Sequence, residues 1–178
     1  MYLYKDDEIA IRTVNKNDAA ILFIWWISED INRHDPRSLP RNCQDLIEEC
    51  NSFCKTFENH VLTDEIDEDS YLYFIIENSE GNQIGFVNLF DFDENRTKAE
   101  LGIIIGDKAY WYKKIGRKSV NAVLNYANTE IGLNIVHIET GEENIPALNL
   151  FTRLGFEKCG ENFEDNGFKW IVMEKSIS

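Results

Sequence analysis

AELGIIIGDKAYWYKKIGRK, residues 99–118, reads as a buried strand, a loop and the first turn of a helix. Leu101-Gly102-Ile103-Ile104-Ile105 is almost wholly apolar, and three consecutive β-branched residues suit a strand covered on both faces. Gly106-Asp107 ends it. Five basic residues follow, Lys108, Lys113, Lys114, Arg117 and Lys118, with no acid among them, in a chain of 18 basic and 32 acidic residues and formal net charge -14. A positive island between a strand and a helix start is where a phosphate fits. The first amides of the helix point outward there, and the helix dipole favours an anion. Exposed cations at that end oppose the dipole by about 0.3–1 kcal/mol each. Clustering Arg117 and Lys118 there therefore makes sense if an anion binds; the alternative is an ordinary basic surface turn.

Around this stretch the composition, 43% apolar and 12% aromatic, is that of a globular chain. The length of 178 residues suits one domain, 1–178, with a substantial core. No apolar run approaches the ~18 residues of a membrane helix. The opening MYLYKDDEIA lacks the charge-then-apolar pattern of a secretory leader. The expectation is a cytoplasmic protein. The acidic excess repels nucleic-acid phosphates and favours cationic partners, so neither nucleic acid nor membrane is expected as a partner. The densest acidic run, 64–69, reads as a solvated loop whose field also draws a basic substrate. Cys43, Cys50, Cys54 and Cys159 form no C-x-x-C pair, which predicts small buried thiols and no metal site.

Outward from the central stretch, alternation and spacing predict strands at 9–14, 71–77, 83–92, 99–105, 135–140, 156–159 and 168–174. Helical spacing predicts helices at 15–28, 42–57, after the basic loop through Val120 to Ile131, and 146–154. Asn15 with Asp18 three residues on looks like a capping box, and Gly132 and Gly155 are helix stops. The order β-α-α-β-β-β-α-β-α-β-β predicts one α/β domain, a mixed sheet with helices on both faces. His137, in a strand between apolar residues, reads as a satisfied core histidine; His34 lies in a proline-flanked loop and His60 opens the acidic connector 60–70. Trp25 and Trp26 read as core, and Tyr110 and Trp111 either pack on the helix or stack on a ligand.

Two motifs resemble the GNAT superfamily of acyl-CoA-dependent N-acetyltransferases, over the whole chain in element order. Glu100 to Gly116 is similar to the family's fourth strand and its Q/R-x-x-G-x-G/A pyrophosphate loop. Asn144-Ile-Pro-Ala147-Leu-Asn-Leu-Phe151-Thr-Arg-Leu-Gly155-Phe156 is similar to its N-x-x-A-x-x-x-Y-x-x-x-G-F stretch, the stronger match because Asn144, Ala147, Gly155 and Phe156 all fall in register. The branch that looks nearest holds ribosomal-protein, spermidine and aminoglycoside acetyltransferases. There are departures. Trp111 stands at the usual Gln/Arg, Lys114 at the first glycine and Phe151 at the tyrosine commonly proposed to protonate the departing thiolate.

The resemblance implies transfer of acetyl from acetyl-CoA, without a metal, to a primary amine of a cationic acceptor: an aminoglycoside, a polyamine, or a protein N-terminus or lysine. It also admits a homodimer. It implies that Ile103, Ile104 and Ile105 present their edge to the pantetheine arm, with a backbone N–H near Ile103 facing the thioester oxygen. The amides of Tyr112, Lys113, Lys114, Ile115, Gly116 and Arg117 would cradle the pyrophosphate, and Lys113, Lys114, Arg117 and Lys118 would supply charge. Asn144 would bond the pantetheine arm. Glu100 would be the general base, or a rim carboxylate that attracts the amine; Glu139 is the alternative and reads as structural. Lys114 and Phe151 also allow a second reading, a non-catalytic acyl-CoA-binding or sensing protein.

Overall fold

The structure, a computed structural model, describes residues 1–63 and 65–178, so Asp64 of the acidic run lies outside the described residues. Eight strands form one sheet in the order β1-β2-β3-β4-β5-β6-β8-β7. They are β1 Tyr2–Lys5, β2 Ile9–Thr13, β3 Leu72–Asn78, β4 Gln83–Phe90, β5 Lys98–Ile105, β6 Ile135–Gly141, β7 Glu157–Phe163 and β8 Lys169–Ser176. The helices are α1 Ala19–Trp26, α2 Cys43–Thr56, α3 Ile115–Tyr126 and α4 Ile145–Arg153. The expected order holds, with an additional edge strand, β1, at the start. Tyr2-Leu3-Tyr4 gave that strand a signal too short to register before the acidic turn.

Alternation along the strands sorts the core into two layers. On β3, Phe74 and Ile76 join the cluster under α3 and α4, while Ile75 joins the one under α1 and α2. On β5, Ile103 and Ile105 pack at the edge of the first layer and Ile104 at the edge of the second. Burying a side chain such as Ile75, fully inaccessible here, contributes about 1.5–3 kcal/mol. Helix starts follow local chemistry. Asn15 and Asp18 form the capping box, Asn15 N–H donating to Asp18 Oδ2 at 2.8 Å. Gly132 closes the long helical stretch after α3 with φ 86°.

What positions the site is a divergence of strands. β5 pairs with β4 along its length, from Phe90 opposite Glu100 to Gly85 opposite Ile105. Its parallel pairing with β6 covers only Lys98, Ala99 and Glu100. β6 runs on beside β8 to Gly141. Beyond Glu100 the sheet therefore opens, and one edge of β5 loses its partner. The end of β5 is fixed where Gly106 meets Trp25: a Cβ there would lie 2.1 Å from the indole, so no larger residue fits.

The cysteine expectation is corrected. Cys43, Cys54 and Cys159 are exposed and Cys50 half-buried, because their faces of α2 and β7 turn to solvent.

Candidate active site

The hydrogen-bond phase of β5 follows from its last rung. Gly106 N–H donates to the Ile84 carbonyl at 2.9 Å. Antiparallel rungs alternate, so Gly102 and Ile104 face β4, while Ile103 and Ile105 turn their main-chain groups to the open side. The Ile105 carbonyl there accepts the Trp111 Nε1 proton at 2.7 Å. This open edge lines a cleft of about 650 Å³ whose walls also include Tyr110 to Arg117, Asn144, Arg153 and, from the α1–α2 loop, Arg33 and His34. Ile103, Ile104 and Ile105 are half-buried rather than covered on both faces, because they line this cleft.

The loop into α3 is strained where the sequence lacks glycine. Lys114 is the N-cap residue of α3 with φ 63°, ψ 6°, and Tyr112 has φ 63°. Both are left-handed, a conformation costing a non-glycine residue about 1–2 kcal/mol. Lys114 thus keeps the backbone shape that glycine would give. Its side chain joins Lys113, Arg117, Arg33 and Arg153 at the cleft. None of these five is ion-paired among the described residues.

The rest of the basic island points elsewhere. Lys108 pairs with Asp30. Lys118 is a correction to the sequence expectation, since it does not line the cleft. It pairs with Asp6 at 2.8 Å and with Glu8 in the β1–β2 turn. Successive helical residues diverge by about 100°, so Arg117 and Lys118 cannot both face the cleft. Asn144 lines the cleft while capping α4: its Oδ1 accepts from Ala147 N–H at 3.4 Å and its Nδ2 donates to Thr140 Oγ1 at 3.0 Å. Phe151 is buried, 3% exposed, and packs edge-on to Phe156 at 5.1 Å.

Glu100, before the strands part, opens onto a second space of opposite charge. A pocket of about 470 Å³ is lined by Thr56, His60, Glu68, Asp69, Tyr71, Phe90, Asp91 and Glu100. Tyr71 and Phe90 stack with centroids 5.6 Å apart. The acidic connector therefore contributes Glu68 and Asp69 to a pocket wall. α2 reaches the pocket through a wide π turn, Phe57–Val61, which carries His60. Burial pushes the Glu100 carboxyl up to about 7, helped by the neighbouring Glu139 and Asp91 carboxylates. His137, on β6, faces it, Nε2 to Oε2 3.7 Å. The donor atoms of Asp91, Glu100 and His137 all lie within 4.8 Å of one another. Glu139 accepts from Asn162 Nδ2 at 2.8 Å. The core-histidine expectation for His137 is corrected, because its buried Nδ1 has no hydrogen-bond partner.

Sequence reasoning missed Arg33, Arg153, Asp91 and His60. These lie on elements far apart in the chain, and only the opening between β5 and β6 gathers them.

The sheet thus opens beside one strand, with a cationic cleft along that strand and an anionic pocket at its base. Residues 8–157 match the acetyltransferase (GNAT) domain family, and the chain belongs to it. An uncharacterised protein of Methanocaldococcus jannaschii is 30% identical over 172 residues, 94% of this chain and 31% of that protein. The human alpha/beta-tubulin-N-acetyltransferase 9 is 34% identical over 100 residues, 56% of this chain and 47% of its own length. The chain thus spans between 31% and 47% of these curated relatives. Among solved structures, a domain from M. jannaschii superposes with TM-score 0.73 at 28% identity, covering 96% of this chain and 99% of that one. Spermidine N-acetyltransferase from Vibrio cholerae, solved with CoA and spermine, shares the fold with TM-score 0.74 at 21% identity, covering 96% of each chain. No helix among the described residues is long and apolar enough to cross a membrane.

Proposed function

We propose that this chain is an acetyl-CoA-dependent N-acetyltransferase whose acceptor is a primary amine on a cationic molecule. The observation that carries the reading is the pair of oppositely charged spaces flanking β5. Five cations without an ion-pair partner among the described residues line the cleft at the Ile103–Ile105 edge, and Glu68, Asp69, Asp91 and Glu100 line the other pocket.

The cleft residues fit the cofactor. The open-side groups of Ile103 and Ile105 suit the amides of an extended arm added as a short strand. The outward amides from Tyr112 to Arg117, at a helix start, suit a pyrophosphate, with Lys113, Lys114 and Arg117 beside it. Asn144 keeps one amide hydrogen for the arm. Acetyl-CoA supplies the activated acyl thioester. The Ile103 N–H, turned to the open side, serves as donor to negative charge developing there.

The acidic pocket draws an ammonium, yet the same carboxylates hold the proton on it. Freeing a primary amine at pH 7 from a pKa near 10.4 costs about 4–5 kcal/mol, so a base is needed at the point of transfer. Glu100, with its carboxyl at about 7, is matched to that task. Glu139, held by Asn162, serves as scaffold. The relatives' names include a tubulin acetyltransferase and spermidine acetyltransferases; both kinds of acceptor carry primary amines.

Acetyl-CoA is expected to raise the melting temperature, as a ligand selective for the native state does. Lys113→Glu with Arg117→Glu is expected to abolish most of that rise. No shift and no calorimetric heat with the wild-type chain would overturn the cofactor reading. Phe151 favours a second reading, a non-catalytic acyl-CoA binder, since a buried phenyl ring gives no proton to a thiolate. That protein binds acetyl-CoA but releases no amine-dependent thiol.

A further inference from the structure

We propose that His137 is a positioning residue for Glu100: its imidazole carries its single proton on Nε2 and donates it to the Glu100 carboxylate, holding that carboxylate ionised toward the acceptor amine. The proposal rests on the acetyl-transfer reading.

Register sets the pair. Glu100 and His137 are direct partners in the last rung that β5 and β6 share, so their side chains rise from the same face. Nε2 lies 3.7 Å from Oε2, with the side chains 12% and 19% exposed. That gap closes to hydrogen-bond length with a movement below about 1 Å. Among the described residues, His137 is the only basic side chain in ion-pairing range of Glu100.

The free nitrogen gives the tautomer. Nδ1 is buried without a hydrogen-bond partner. Orphaned buried N–H groups are rarer than under-satisfied acceptors, so the proposed tautomer has its proton on Nε2, where the Glu100 carboxylate can accept it. Burial and Lys98 disfavour a second proton on the ring, while Asp91, Glu139 and the Ala99 carbonyl favour one. Glu174 on β8 lies opposite His137, but Lys98 occupies it at 2.7 Å. On the other side, Glu100 faces Asp91 and Glu139, both of which oppose its ionisation. Across the pocket stand His60, Glu68 and Asp69. The Glu139 backbone N–H favours the anion, and the His137 ring lies 3.7 Å from it.

The test compares wild type with His137→Phe and His137→Gln in two measurements. Nitrogen NMR of the labelled wild-type chain at pH 7.5 is expected to show a protonated Nε2 and a bare Nδ1. The titration midpoint of the Glu100 carboxyl, followed by carbon NMR without substrate, is expected to rise in His137→Phe by about one pH unit, tenfold in the protonation equilibrium. It is expected to return toward wild type in His137→Gln, whose amide still donates. The acidic limb of kcat for amine-dependent thiol release is expected to move with it, with the high-pH plateau kept. A proton on Nδ1, or a Glu100 midpoint that stays or falls in His137→Phe, overturns the proposal. If His137→Phe fails to fold, the wild-type tautomer decides. Absence of thiol release from the wild type overturns the acetyl-transfer reading instead, and both NMR results still decide the pairing.

Discussion

Raising the Glu100 carboxyl to about 7 has opposite consequences for activity and for stability. The folded chain holds this proton more tightly than the unfolded one. Its contribution to stability is therefore complete below the unfolded value, 4.5, and is lost as pH rises through about 7. Glu100→Gln, which never ionises, is expected to gain melting temperature over wild type as pH goes from 5 to 8, read by calorimetry. An unchanged difference across that range would mean that burial does not oppose ionisation. The same variant is expected to lose about 10²–10⁴-fold in kcat with acetyl-CoA affinity kept. A raised KM at constant kcat would make Glu100 an electrostatic anchor. Lys114 is the second residue of this kind. Its left-handed backbone costs about 1–2 kcal/mol, whereas glycine returns about 0.5–1 kcal/mol through unfolded-chain entropy. Lys114→Gly is thus expected to gain about 0.5–1 kcal/mol in urea titration, and a loss would show that the turn is unstrained. Glu100 stands out in the sequence at the start of the strand that resembles the family's fourth. The neighbours that set its proton affinity, Asp91, Glu139 and His137, come from three separate stretches and have no local signature.

Among the elements, α3 divides the basic island by helical geometry. Lys118→Ala is expected to leave the affinity for CoA as in wild type while lowering stability, because Lys118 serves Asp6 and Glu8. Arg117→Ala is expected to do the reverse. Calorimetric titration with CoA and thermal melts of both variants separate the roles, and equal loss of CoA affinity would return Lys118 to the cleft. On the other flank, Arg12 on β2 reaches Asp18 through two nitrogens at 2.8 Å and Glu77 on β3 at 2.6 Å. Asp18 is fully buried and also closes the capping box. Arg12→Ala strands both carboxylates and is expected to cost about 3–5 kcal/mol of stability. A loss below 1 kcal/mol in urea titration would show that water replaces the guanidinium. The capping box was readable from Asn15 and Asp18, three residues apart. Arg12 was not, because its partners Asp18 and Glu77 meet it only after β2 and β3 pair. The helices were readable from spacing and their ends from Gly132 and Gly155; β1 was too short to show.

Across the whole molecule, β5 runs from an anionic pocket into a cationic cleft, while the chain as a whole is strongly acidic. The central strand, the helix order and the loop between β5 and α3 were legible because each is a contiguous pattern. The opening of the sheet after Glu100 was not, since it depends on how far β6 follows β5, and no local residue encodes that. Added salt is expected to weaken both sites, raising the apparent Kd for acetyl-CoA and the KM for a cationic amine while sparing a neutral one. Equal salt response of the two amines would reduce the acidic surface to a solvation role. The proposed reaction joins both sites, so the rate of thiol release from acetyl-CoA, with and without a polyamine, tests their pairing across β5 most directly. The account predicts release that depends on the amine, saturates with it and collapses in Glu100→Gln. Tight binding of acetyl-CoA with no amine-dependent thiol release, for polyamines and for peptide amines alike, would contradict it.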